Sequence, residues 1–180
     1  MPVNPNVDYK SALKTLGDGV LSLHKLGYRQ ARGTLRGTYC EVYVANHLKQ
    51  FGAQIGAKRE VKLSDVYLPQ HPNRISIEVK ATGLPMGDAT FEWAFSKKEG
   101  KMPFDFAILF GFGEDNPLAP DKTFVISREE IPTLRNREFY TGYGISYWQN
   151  PRGARKLQDK LISTHPKRFE DRWDKITGKQ

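Results

Sequence analysis

The sequence predicts an α/β domain, a mixed central β-sheet flanked by helices. Three observations predict it. Apolar residues recur at helical spacing through the first fifty residues. The period then changes to two over residues 58–82. Two further apolar runs, FDFAILFGF (104–112) and KTFVIS (122–127), have the length and β-branched or aromatic content of strands.

The elements follow in order. Residues 1–8 are rich in Pro and Asn and read as an irregular arm. Leu13, Leu16, Val20 and Leu23 make a helical stripe across 9–26, interrupted by Gly17 and Gly19 and stopped by Gly27, so one broken helix or two short ones are expected. Leu35, Val42, Val44, Ala45 and Leu48 form a second stripe, a helix over 35–51 that ends at Gly52. Val61, Leu63, Asp65 and Tyr67 alternate with Lys62, Ser64, Val66 and Leu68. After PQHPN, Ile75, Ile77, Val79 and Ala81 alternate with Arg74, Ser76, Glu78 and Lys80. These are two strands joined by a turn-rich loop. Residues 88–100, with Phe91, Trp93, Ala94 and Phe95, read as a helix ending at Gly100. A central buried strand is expected over 104–112 and another over 122–127, and Ser127 to Glu130 has the form of a capping box opening a short helix. Residues 153–163 and 166–176 are candidate helices.

Composition narrows the function. A chain of 180 residues fits a single domain, 1–180. Twenty-eight Lys and Arg against twenty Asp and Glu leave +8, a balance that favours a polyanionic partner such as nucleic acid. Cys40 is the single cysteine, so no disulfide closes within the chain, and with four scattered histidines (His24, His47, His71, His165) no zinc spacing exists. No apolar run is long enough to span a membrane, and the first residues lack the pattern of a signal peptide; a cytoplasmic protein is expected. There is no Gly-rich phosphate loop and no Gly-x-Ser-x-Gly elbow.

Three tripeptides have the form Glu-any-Lys: 60–62, 78–80 and 99–101. About one is expected by chance in a chain this long, so context must choose. Glu99-Gly100-Lys101 has a loose glycine at its centre, and Glu60-Val61-Lys62 is flanked by Lys58 and Arg59; both read as exposed charge. Glu78-Val79-Lys80 ends a strand with an apolar opposite face, so Glu78 and Lys80 share the other face on a rigid mount. If 69–73 turns the chain back, Asp65 lies beside Glu78. Glu41 shares a helix face with Val44, Ala45 and Leu48; it either supports the same site or reaches solvent or Arg36 at the edge of the stripe. Asp65 and Glu78, with the carbonyl of Val79, offer the hard oxygen ligands Mg²⁺ takes, and Lys80 can orient or help deprotonate a water and face the phosphate. The set suits phosphodiester hydrolysis.

This pattern resembles the PD-(D/E)xK nuclease superfamily: Glu41 in GTYCEVYVANHL, Asp65 in LSDVYLP, Glu78 and Lys80 in ISIEVKAT, then WAFSKKEG…FDFAILFGF. The resemblance covers roughly 34–131 and implies a restriction-endonuclease-like core, with 1–33 as an N-terminal helical arm and 132–180 as an extension for specificity or dimer contacts. It implies Mg²⁺, with Mn²⁺ able to substitute, held by Asp65 and Glu78, with Lys80 catalytic and Glu41 supporting. Ser64 stands where the family's name has Pro, and no Gln follows Lys80 at a short interval, unlike some repair-type members. The expected activity is that of a DNA endonuclease like the type II restriction enzymes, a homodimer acting on double-stranded DNA. A nuclease like the Holliday junction resolvases, or a non-catalytic DNA-binding protein on the same fold, are the alternatives.

Basic residues Arg29, Arg32 and Arg36 precede the Glu41 helix, and Lys97, Lys98 and Lys101 form a second cluster. Either can contact DNA phosphates or be solvated surface. Tyr140, Tyr143, Tyr147 and Trp148 form an aromatic run that packs in a core or subunit contact, or else stacks on bases.

Overall fold

A computed structural model describes residues 8–56, 64–83, 90–96, 104–113, 116–135, 137–139, 142–148, 162 and 166–178. The chain opens with α1 (Tyr9–Lys25) and α2 (Arg29–His47), followed by a 3₁₀ turn at Lys49–Phe51. Strands β1 (Gln54–Ile55), β2 (Val66–Leu68), β3 (Ile75–Gly83), β4 (Thr90–Ser96), β5 (Phe106–Phe112) and β6 (Lys122–Ser127) come next. A short α3 (Ile131–Leu134) leads to β7 (Arg137–Phe139) and β8 (Gly142–Trp148), and the chain closes with a 3₁₀ turn at Pro166–Arg168 and α4 (Asp174–Thr177).

Five strands form a mixed sheet in the order β1-β2-β3-β5-β6, parallel between β3 and β5 and antiparallel elsewhere. A second, antiparallel sheet has the order β4-β8-β7. The fold is therefore α/β, with helix, sheet and sheet stacked in three layers. Strand alternation sorts the core. Ile75, Ile77 and Val79 of β3, with Ile108, Phe110 and Phe112 of β5, meet Cys40, Val44, Ala45 and Leu48 of α2. The opposite face carries Ala107, Leu109, Phe124 and Ile126, covered by Phe91, Trp93, Phe95, Tyr143 and Ile145 of the second sheet. Gly111 lies on that face: a Cβ there would stand 2.4 Å from Phe91 Cδ2, so glycine lets the ring rest on the strand. Trp93 Nε1 donates to the Phe110 carbonyl at 3.0 Å, so the buried indole has its partner.

Several expectations change. α1 is one continuous helix, not an interrupted one. Its glycines serve packing, since a Cβ on Gly19 would meet Leu35 Cδ2 of α2 at 2.7 Å. Helix α2 begins at Arg29 rather than at residue 35. The expected helix over 88–100 is a strand in its described part, β4. Its apolar residues Phe91, Trp93 and Phe95 are spaced by two and buried, while Ala94 is exposed. The crossover joining parallel β3 and β5 thus carries, in its described part, a strand of the second layer. Tyr143 is buried and Tyr147 packs on the same core, which is the packing role for those two. The stretch 153–161, residues 1–7, and the tripeptides at 60–62 and 99–101 lie outside the described residues.

The chain returns at 166–178 to cover β6. Val125 N–H donates to Phe169 O at 2.8 Å and Asp171 N–H to Thr123 O at 3.0 Å. Lys175 Nζ reaches Glu130 Oε2 at 2.8 Å and Lys122 Nζ reaches Glu170 Oε1 at 2.5 Å. The expected capping contact is present, with Ser127 N–H donating to Glu130 Oε2 at 2.9 Å, although helix α3 starts after it, at Ile131. No helix among the described residues is long and apolar enough to cross a membrane.

Candidate active site

The site forms where β2 begins beside β3. Among the described residues, strand β2 pairs with β3 from Leu68↔Ile75 to Val66↔Ile77, and β3 continues to Gly83 against β5. The backbone of Val79 faces the β2 side, just past the last of those pairs. Asp65, in the bend ahead of β2, fills that position. Its N–H donates to Ile77 O at 3.0 Å, its carbonyl accepts from Gly56 N–H at 3.0 Å, and its Oδ2 accepts from Val79 N–H at 2.8 Å. Two backbone bonds fix the residue and a third, from Val79 N–H, orients its carboxylate, without any helix or long strand. In a pleated strand the N–H and C=O of one residue point the same way, so the Val79 carbonyl looks toward Asp65 as well.

Glu78 and Lys80 flank Val79 and project from the other face, away from α2. Glu78 is 5% exposed, and its Oε1 forms an ion pair with Lys80 Nζ. The Lys80 side chain is 31% exposed, so one end of the pair reaches solvent. Burial raises the Asp65 carboxyl above its ordinary range, opposed by the Val79 N–H and by the charge of Lys80. The ammonium thus acts on both carboxylates, and the three groups the sequence nominated stand together.

The second sheet walls the lysine. Lys80 Nζ lies 5.8 Å from the Phe95 ring centroid; Phe95 stacks on Tyr143 at 5.1 Å and 3°; and the Arg135 guanidinium lies 4.0 Å over Tyr143. Cation, ring, ring and cation form one column, with each charge against a ring face, the attractive side of the aromatic quadrupole. Sequence reasoning missed Phe95 and Arg135. The signal for Phe95 was the spacing of Phe91, Trp93 and Phe95 by two; for Arg135 there was none.

Glu41 is half-buried on α2 beside Cys40. That helix covers the Ile77 and Val79 face, opposite to the one carrying Glu78 and Lys80. Among the described residues no three His, Cys, Asp or Glu side chains gather as a metal-holding group, so Glu41 does not join Asp65 and Glu78 in one. Of the basic residues, Arg32 contacts His24 Nδ1, and Arg36 is buried at 5% exposure over the Phe112 ring. Lys97 and Lys98, and the side chain of Arg29, lie outside the described residues.

The donor set fits a hard divalent cation. Asp65 and Glu78 are carboxylates on neighbouring stretches of chain, and Mg²⁺ is commonly bound by one or two carboxylates plus waters and substrate phosphates. The chain matches no family model and no curated protein.

Proposed function

We propose that this protein is a Mg²⁺-dependent DNA endonuclease with a PD-(D/E)xK site, acting as a homodimer on double-stranded DNA in the manner of type II restriction enzymes. The observation that carries this reading is the meeting of Asp65, Glu78 and Lys80 where the bend ahead of β2 bonds to β3 at Val79. The +8 charge supports a polyanionic substrate.

The carboxylates of Asp65 and Glu78, with the Val79 carbonyl, would hold Mg²⁺, or Mn²⁺ in its place. When bound, the ion supplies positive charge to the phosphate oxygens and acidifies water. The remaining work belongs to the chain. Asp65 is oriented by Val79 N–H, so its second oxygen is aimed rather than free to rotate. Glu78, buried on a central strand, holds Lys80 through their ion pair. Lys80 Nζ, with three donors, can hold a water against the phosphorus and stabilise the charge that grows on the phosphate in the transition state. The Phe95 ring keeps bulk water from one side of that ammonium, which strengthens its field.

Incubation of supercoiled plasmid with the purified protein tests the reading. Cleavage in Mg²⁺ or Mn²⁺ and none in EDTA is expected, with discrete fragments from sequence-specific cutting. Lys80→Ala should retain DNA binding and lose cleavage. DNA left intact with every divalent ion would overturn the proposal.

A further inference from the structure

Arg36 is 5% exposed, yet its Nε has no hydrogen-bond partner, and none of the ion pairs among the described residues includes it. Its guanidinium lies 4.5 Å over the Phe112 ring, which offsets only part of the cost of burying a charge. Burial lowers its pKa first, and the like charge of Arg32, one turn earlier, lowers it further. An anion would relieve both.

The surroundings indicate where that anion would dock. Arg36 Nη1 lies 3.6 Å from the position a Cβ on Gly83 would occupy, and the Phe112 carbonyl lies 3.9 Å from the same point. Gly83↔Phe112 is the last register pair of the parallel β3–β5 ladder. The guanidinium edge thus stands at the carboxyl ends of two parallel strands, beside an exposed glycine backbone. Ligands of open α/β sheets bind in the crevice outside those ends. A planar guanidinium fork matches the oxygens of a phosphate. Gly83 follows Lys80 by three residues, about 10 Å along the strand. Lys80 and Arg36 flank the strand end from opposite faces of the sheet.

We propose that Arg36 is the receptor for one backbone phosphate of a nucleic-acid strand, docked over Gly83 at the carboxyl ends of β3 and β5. That the phosphate belongs to a nucleic acid rests on the nuclease reading; the oxyanion site itself does not.

The test uses the full chain in EDTA, so that cleavage plays no part. Inorganic phosphate is titrated while the melting temperature is followed, and a labelled DNA duplex is titrated at several salt concentrations. Phosphate should raise the melting temperature of the wild type and leave that of Arg36→Met unchanged. The slope of log affinity against log salt should fall by about 0.9 in Arg36→Met, the share of one phosphate. Arg36→Lys, which keeps the charge but loses the fork, should bind duplex several-fold more weakly than wild type. Gly83→Val keeps Arg36 and fills the space before Nη1; it should reproduce the lost slope even if Arg36→Met does not fold. Stabilisation by free phosphate with an unchanged salt slope in both Arg36→Met and Gly83→Val would overturn the strand phosphate as ligand. No response in either titration would overturn the site. Duplex that is bound with the expected slope but never cut on adding Mg²⁺ would instead sink the nuclease reading and leave the phosphate receptor standing.

Discussion

Two aspartates bond the backbone of β3, one near its start and one at its middle, and they do so in the same way. Asp105 Oδ2 accepts from Ser76 N–H at 2.9 Å, and Asp65 Oδ2 accepts from Val79 N–H at 2.8 Å. Their remaining partners differ. Asp105 also receives the Ser76 hydroxyl at 2.9 Å and has Arg128 as its own counter-ion. Asp65 shares Lys80 with Glu78, and its carboxyl is raised by burial. Asp105 ties the start of β3 to Arg128. Asp65 instead lies in the field of a lysine that also pairs with a second carboxylate. Hydrogen-bond geometry is the same at both aspartates; the charged neighbours separate a joint from a candidate site.

Substitutions at the two aspartates should therefore part company. The largest effect is expected from Lys80→Ala and from Asp65→Asn, each lowering the rate of plasmid cleavage by about 10²–10³-fold, the usual loss when one transition-state contact is removed. Asp65→Asn keeps an acceptor for Val79 N–H, so its fold should survive. Asp105→Asn should leave cleavage near the wild-type rate and lower stability by about 0.5–1 kcal/mol, because its ion pair is largely exposed. A comparable loss of cleavage in both aspartate variants would erase the distinction.

Linkage to pH sharpens it. A raised carboxyl means that the folded state resists ionisation of Asp65. Stability is then lost as pH rises through the ordinary aspartate range toward the raised folded value. Asp65→Asn should remove that loss, so its melting temperature gains on wild type as pH goes from about 3 to 6. Glu130 has the opposite sign. Lys175 Nζ, Ser127 N–H and Arg168 Nε outweigh its burial and hold its carboxyl below the ordinary value. Glu130→Gln should cost about 1–3 kcal/mol at neutral pH, and the deficit should vanish as acid protonates the wild-type residue. Melting curves across pH measure both. The smallest effect is expected at the aromatic wall: Phe95→Leu should slow cleavage about 2–5-fold, in keeping with a cation–π contact of about 0.5–1 kcal/mol. An unchanged rate would remove Phe95 from the site.

The legible parts of the fold were those whose period is local. The α2 stripe, the alternation of β3, and the apolar runs of β5 and β6 could each be read within a dozen residues. Strand β4 could not, because Ala94 between Trp93 and Phe95 lets a period of two pass for a helical face. Its partner β8 lies some fifty residues on, with Phe91 opposite Tyr147 and Phe95 opposite Tyr143, a pairing no local pattern announces. The same limit divides the site. Glu78 and Lys80 were legible because i and i+2 on a strand must share a face. Asp65 needed only a return turn at 69–73. Glu41 was another matter: helical periodicity tells which side of α2 is inward, but not which face of the sheet it meets. For Arg36, a phosphate contact and a solvated surface stayed open, and neither foresaw burial, because nothing in its neighbours reveals that Phe112, seventy-six residues away, would lie beneath it.

The strap at 166–178 bears on how two copies could meet. With Val125 and Thr123 already bonded to it, and with β1 only two residues long at the far rim, neither rim strand of the five-stranded sheet presents a long free ladder among the described residues. A homodimer of this protein would then join through side chains of helices or of the smaller sheet rather than by zipping backbones into a ten-stranded platform. That arrangement would leave the separation of its two cutting centres adjustable by surface residues alone.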